Sequence, residues 1–244
     1  MNRLMSSAMA GANAAMARQE MHAHNLANAS TAGFRADTSA LQAEAMANGR
    51  PGAAVKGSFA GADFSQGPIT QTGGNLDIAI NGKGWIAVEG RDGREAYTRN
   101  GGLQVSAGGM LQTLNGRNVL SDAGPVSIPA NAAVRIATDG TVSAISEAQS
   151  SSVINLGRIK LVNPPEENLT RSADGLFRLK DGGTAAFDDT LRVAPGAIEG
   201  SNVNVVEELV GMIALARQFE LHMKMMQNTE TGERDAARLL SIQS

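Results

Sequence analysis

Over the first thirty residues, Leu4, Ala8, Gly11, Ala15, His22, Leu26 and Ala29 recur at three- and four-residue steps, with a gap near Arg18 and Gln19. That period predicts a helix. Small side chains on its stripe let helix axes approach closely but bury little apolar area, so such a helix needs neighbours to persist. At the other end, Leu209, Met212, Ala216, Phe219, Met223 and Met226 step by 3, 4, 3, 4 and 3, the seam of a coiled coil. Ser201 and Asn202 are candidate caps, Glu207 and Glu208 suit a helix start, and Arg234 and Arg238 suit its end. A continuous helix from Asn202 to Leu240 would be about 58 Å long at about 1.5 Å per residue. A rod of that length exceeds the needs of one compact domain.

The middle of the chain changes period. "NLDIAINGKGWIAVEG", "YTRNGGLQVSAGGMLQTLNGRNVL", "VRIATDGTVSAI" and "NLGRIKLVNPP" are short strand-like segments punctuated by Gly and Pro. Asn81-Gly82, Asp92-Gly93, Asn115-Gly116 and Asp139-Gly140 are hairpin-type turn signals, because Asn and Asp tolerate positive φ beside a Gly. Residues 35 to 75, rich in Ala, Gly and Ser with Pro51 and Pro68, read as an extended connector with a short helical piece near Leu41 to Ala47. The pattern therefore predicts an α+β fold: N- and C-terminal coiled-coil-like helices packed together, with an antiparallel β domain inserted between them. The expected divisions are an N-terminal axial helix at 1–34, the connector at 35–75, the β domain at 76–200 and a C-terminal axial helix at 201–244. One chain could pair its own two ends, or many copies could pack their ends around a common axis.

Composition narrows the picture. The 244 residues are 42% hydrophobic and only 3% aromatic, with 28 Gly, which favours close backbone packing over bulky cores. A formal charge of −3 without a basic tract excludes nucleic acid as an expected partner. Cysteine is absent, so disulfides and thiolate metal sites are excluded. The N-terminus carries Arg3 but no continuous apolar run of the kind a Sec signal needs, and no stretch reaches the roughly twenty apolar residues that span a bilayer. Neither a cleaved signal nor membrane insertion is expected.

Candidate chemistry is sparse. His22 and His24, two apart on a helix, point about 200° from one another and form no metal pair, and His222 stands alone. The pairs Glu166-Glu167, Asp188-Asp189 and Glu207-Glu208 have no partnered base, and "NGKGW" lacks the spacing of a phosphate loop. No Gly-x-Ser-x-Gly elbow is present. No catalytic residue, cofactor or metal site is expected, and the protein reads as a non-enzyme. At the N-terminal junction Asn28 ends the helix, Ser30 and Thr31 bond locally and Gly33 supplies positive φ, while Asn25 and Asn28 could bridge to neighbouring helices and Phe34 anchor the exit. The C-terminal Met stripe suits either the core of one hairpin or packing between subunits.

"NLANASTAGFRAD" resembles the signature of flagellar rod and hook proteins. "GGNLDIAINGKGWIAV" resembles that family's Leu-Asp-x-Ala-Ile segment, "YTRNGGLQVSAGGMLQTLNGRNVL" its Tyr-Thr-Arg-x-Gly strand, and "SNVNVVEELVGMIALARQFE" its C-terminal helix. His24 stands where the family commonly has a second Asn, and Trp85-Ile86 replaces a usual Phe-aromatic pair. Four blocks in one order span nearly the whole chain, and "GRIKLVNPPEENLTRSADGLFRL" with "ARQFELHMKMM" is most similar to proximal-rod members. The resemblance implies a structural subunit of the periplasmic part of the flagellar basal body, exported by the flagellar type III apparatus. Its partners would be neighbouring proximal- and distal-rod subunits and copies of itself. The terminal helices would then pack axially, transmit torque and fold on assembly. Expected assembly contacts are Leu4, Ala8, Gly11, Ala15, Asn25, Leu26, Asn28, Thr31, Gly33, Phe34, Leu209, Met212, Ala216, Phe219, Met223 and Met226. The competing reading is a secreted trimeric, adhesin-like surface-binding module, which would need an aromatic-lined ligand surface. A cell-wall hydrolase would need a catalytic constellation that the sequence lacks.

Overall fold

A computed structural model describes residues 2–43, 55–130, 132–146 and 153–242. Helices close both ends: α1 spans Asn2–Ala27 and α2 spans Val205–Ile242. The 38 residues of α2 make it about 57 Å long at about 1.5 Å per residue. The described strands between the helices pair antiparallel throughout, so the fold class is α+β.

The chain divides into two compact units. One gathers residues 1–29, 37–63 and 203–244, and the other gathers 30–36 with 64–202. In the second, a five-stranded sheet runs in the order Leu161–Val162, Trp85–Glu89, Glu95–Thr98, Phe177–Leu179 and Leu169–Arg171. Trp85 to Val88 are all buried, as are Ile78 to Ile80, so these strands are covered on both faces and read as continuous apolar runs. Ala132–Ile136 alternates instead: Val134 and Ile136 face the core while Ala133 and Arg135 face water. It forms the edge of a three-stranded sheet with Thr141–Ser146 and Val153–Arg158. Ile78, Ile80, Ile86, Val88, Leu111, Val119, Ile159 and Leu161 fill the core of this unit. Each of the four turn signals places its Gly at positive φ, from Gly93 at 74° to Gly140 at 87°.

Two local expectations are corrected. Asp37–Ala43 is a strand paired with Val55–Ala62, so the helical piece expected from Leu41 is strand through Ala43, and its remainder to Ala47 lies outside the described residues. A seven-residue helix satisfies few of its own backbone groups, whereas antiparallel pairing satisfies those of both segments. The α2 cap is Asn204, not Ser201 or Asn202: its Oδ1 accepts from Val206 N at 3.1 Å and Glu207 N at 3.4 Å. Ser201 is buried, and Asn202 Oδ1 is already taken by Ala36 N at 2.7 Å.

Candidate functional site

Two constellations carry the residues singled out in the sequence. The first lies in the β-rich unit, where residues 30–36 run beside 199–202. Gly33 N donates to Glu199 O at 2.8 Å, and Asn202 N donates to Phe34 O at 3.4 Å. Gly33 has φ 68°, and a Cβ built there would lie 2.3 Å from the backbone of Arg99 and Asn100. Glycine is needed at this position for both space and conformation.

Beside Gly33, Arg35 is 1% exposed and its Nη1 lies 2.6 Å from Glu199 Oε1. Glu199 is fully buried, and its Oε2 is 3.0 Å from Arg99 Nε. Gly67 N also donates to Glu199 Oε1 at 3.0 Å, while Arg99 donates to Gly84 O at 2.9 Å and Gly82 O at 2.6 Å. Burial pulls the Arg99 guanidinium down to about 10, Glu199 opposes that fall and Arg35 adds to it, so Arg99 stays charged at neutral pH. One buried carboxylate thus holds an arginine from each of two sequence blocks. Without Glu199 both arginines would be buried cations with no counter-charge, so this carboxylate ties the two blocks to its own strand.

The aromatic residues gather at the same place. The chain has one Trp, one Tyr and six Phe, and Phe64, Trp85 and Phe177 form one cluster, with Trp85 and Phe177 centroids 4.7 Å apart. The Arg171 guanidinium lies 4.8 Å from the Phe34 ring and 4.9 Å from the Phe177 ring, and Arg171 Nη2 donates to Arg35 O. The Phe34 ring thus meets a cation at the junction.

The second constellation is the α1–α2 pair. The helices run antiparallel with His22 packed over Gly211 and His222 packed over Gly11: a Cβ would lie 2.8 Å from the His22 ring at Gly211 and 2.4 Å from the His222 ring at Gly11. Each histidine occupies the space left by a missing side chain on the other helix. Ala8, Ala12, Ala15, Met21 and Leu215 are buried here. Asn25 is 1% exposed: its Nδ2 donates to Glu208 Oε1 at 2.9 Å and Asp37 O at 3.0 Å, and its Oδ1 accepts from Asp37 N at 2.8 Å. His22 Nδ1 pairs with the other oxygen of Glu208, and His24 Nδ1 meets Asp37 Oδ2 at 2.7 Å.

The expected contact residues therefore separate. Ala8, Gly11, Ala15 and Asn25 face the chain's own partner helix. Asn25 spends its amide inside the chain, and Asn28 Nδ2 returns to His24 O at 2.9 Å in its own helix, so the bridge from Asn25 runs to α2 of the same chain. Leu26, Asn28, Thr31, Gly33 and Phe34 are half-buried. The α1 helix includes Leu4, whose side chain lies outside the described residues. On the C-terminal stripe Met212, Phe219 and Met226 are half-buried, whereas Leu209, Ala216 and Met223 are exposed. The seam toward α1 instead follows Glu208, Gly211, Leu215 and His222, which the apolar pattern could not reveal because a carboxylate, a glycine and a histidine occupy it. Val206 (70% exposed), Val210 (61%), Ile213 (57%) and Leu221 (62%) project away from it, as do Met9 and Met16 of α1.

Arg35, Arg99, Glu199 and Glu208 escape the pattern-based selection, since charged residues are read as surface by default. Arg35 and Arg99 do fall inside the quoted sequence blocks. Among the described residues no group of three His, Cys, Asp or Glu side chains is placed to hold a metal, and no helix is long and apolar enough to cross a membrane.

Comparison with known proteins places these features in a family. Residues 5–35 match the family described as flagella basal body rod protein, residues 79–144 the flagellar hook protein FlgE/F/G D1 domain, and residues 194–239 the flagellar basal body rod FlgEFG protein C-terminal. The flagellar basal-body rod protein FlgF of Salmonella typhimurium is 40% identical over 252 residues, covering 99% of this chain and all of that protein. FlgF of Escherichia coli is 40% identical over 251 residues with the same coverage. FlgG of Buchnera aphidicola from Acyrthosiphon pisum is 29% identical over 245 residues, covering 90% of this chain and 93% of its own. With three family segments in order along it and relatives similar from end to end, the chain belongs to the flagellar basal-body rod family that contains FlgE, FlgF and FlgG.

Proposed function

We propose that this protein is a structural subunit of the proximal rod in the flagellar basal body, joined to its neighbours through the outward face of its terminal helix pair. The observation that carries this reading is the row Val206, Val210, Ile213 and Leu221 on α2, left in water although the inner face of the helix is already closed against α1 of the same chain. Apolar surface of that extent on a helix marks a protein interface. Leu209, Ala216 and Met223 flank it and belong to the same assembly surface. The helices pack as a coiled-coil-like pair within the subunit, and outward residues then interdigitate with other rod proteins and with copies of the same chain. A surface that does not close on itself builds a helical rod, and torque passes through it as shear spread over many contacts.

An inner seam rich in Ala and Gly buries little apolar area, so the pair is of marginal stability in the free subunit and gains further order on docking. A helix pair of marginal stability unfolds readily, which suits passage through the flagellar type III export channel, with assembly in the periplasm. The experiment replaces Val210 and Ile213 with Asp. The expected result is a folded, exported protein that leaves rods incomplete and cells non-motile. Normal motility would overturn the assignment of this face. Removing residues 1–34 or 205–244 tests the larger claim, and motile flagella after either removal would refute axial assembly through the helices.

A further inference from the structure

One cavity of the β-rich unit is unlike its neighbours. It has a volume of 330 Å³ and is lined by Arg91, Thr98, Asn100, Thr113, Asn115 and Arg117. Among the described residues, the Arg91 and Arg117 guanidinium groups have no hydrogen-bond or ion-pair partner. Three of the side-chain acceptors around them already take a backbone N–H. Thr98 Oγ1 accepts from Asn100 N at 3.1 Å, Asn100 Oδ1 accepts from Gly102 N at 3.0 Å, and Thr113 Oγ1 accepts from Arg117 N at 3.2 Å. Both hydroxyl hydrogens and the Asn100 amide hydrogens remain to be donated.

The acid at the rim does not cancel the charge. Asp174 lines the cavity, but its Oδ1 accepts from Leu176 N at 3.4 Å and its Oδ2 from Arg178 Nη2 at 3.1 Å. A second cavity, of 360 Å³, differs: its Arg94, Glu95 and Arg178 are paired with Asp92, Lys160 and Asp92 respectively, which leaves Lys180 as its one cation without a side-chain partner among the described residues. Of these two, only the smaller cavity brings two unpaired guanidinium groups together.

We propose that this cavity binds a carboxylate. Two planar guanidinium forks with hydroxyl and amide donors match a carboxylate's paired oxygens; such forks also bind phosphate, but none of the lining residues opens a helix, where main-chain amides commonly cradle that larger anion. The volume is at the lower end of small-ligand sites, enough for one acidic side chain with its backbone or for a short dicarboxylate. This site goes beyond the rod assignment and stands independently of it, since its residues all lie in the β-rich unit.

The test titrates the full-length protein with glutarate, with N-acetyl-Glu-Glu-amide and, in parallel, with inorganic phosphate. Calorimetry gives the affinity, and the arginine Nε–H resonances give the location. Saturable binding of either carboxylate, falling with salt and shifting the Arg91 and Arg117 signals, supports the site. Glutarate alone identifies a free dicarboxylate as its occupant, and the dipeptide identifies an acidic protein segment. Arg91→Gln and Arg117→Gln should each weaken binding on the order of tenfold or more, as expected for loss of a charge-assisted hydrogen bond. Arg135→Gln, which removes an exposed arginine in another sheet, should leave it unchanged. Absence of saturation below about 10 mM (Kd for a weak small-ligand contact,), unchanged affinity in both cavity variants, or equal affinity for phosphate would overturn the proposal.

Discussion

Substituting Gly33 by Ala tests the junction with a matched control. Gly33 has φ 68° and Gly175 has φ 80°, so an alanine at either site bears a similar left-handed penalty of about 1–2 kcal/mol. The surroundings differ: a Cβ at Gly175 meets nothing within 4 Å, while at Gly33 it would lie 2.3 Å from Arg99 C and from Asn100 N. Those atoms are backbone, held by the Arg99 contacts to Gly82, Gly84 and Glu199, so the clash is not relieved by turning a side chain. Forced overpacking adds about 1–3 kcal/mol, and the 2.8 Å hydrogen bond from Gly33 N to Glu199 O is strained with it. Gly33→Ala should therefore cost about 2–5 kcal/mol and Gly175→Ala about 1–2 kcal/mol. Urea unfolding followed by Trp85 fluorescence reads both, because the single Trp sits in the aromatic cluster beside Arg35. Equal losses in the two variants would refute the close approach and with it the proposed anchoring of the junction.

Three further predictions use other parts of the molecule. Glu199→Gln leaves Arg35 and Arg99 buried without their shared anion and should destabilise the β-rich unit by about 3–5 kcal/mol, read in the same unfolding experiment; a loss below about 1 kcal/mol would mean that the triad is solvated. Gly11→Ala should destabilise the helix pair in the native background but stabilise it by about 1 kcal/mol in a His222→Ala background, where helix propensity acts without the clash. Thermal melting of the helical circular-dichroism signal checks this, and the same sign in both backgrounds would rule out the antiparallel register. The Arg178 guanidinium beside Asp92 holds its carboxyl well below the usual range, so the stability Asp92 contributes is present above the ordinary carboxylate value near pH 4 and is lost as the pH falls through the depressed one. The stability gap between the native protein and Asp92→Asn should accordingly close only in strong acid, and a gap that widened on acidification would contradict the pairing.

Local chemistry decided much of the design. Three- and four-residue steps define both helices, Asn-Gly and Asp-Gly pairs mark turns whose glycines take positive φ, and absent thiols and basic tracts narrow the function. Each of these depends on neighbours in sequence, so the chain states it directly. Tertiary structure alone decided which side of α2 turns inward, whereas the small-residue stripe of α1 already marked its inner face. The α2 stripe that looks like a seam is partly in water, because the inward positions are chosen by what α1 offers: Gly11 makes room for His222, and Asn25 supplies partners for Glu208. The same holds at Arg35, Glu199 and Arg99, widely separated in the chain and polar enough to read as surface. Burying a charge is favourable only when its counter-charge arrives from elsewhere in the fold, and a one-dimensional pattern does not contain that meeting.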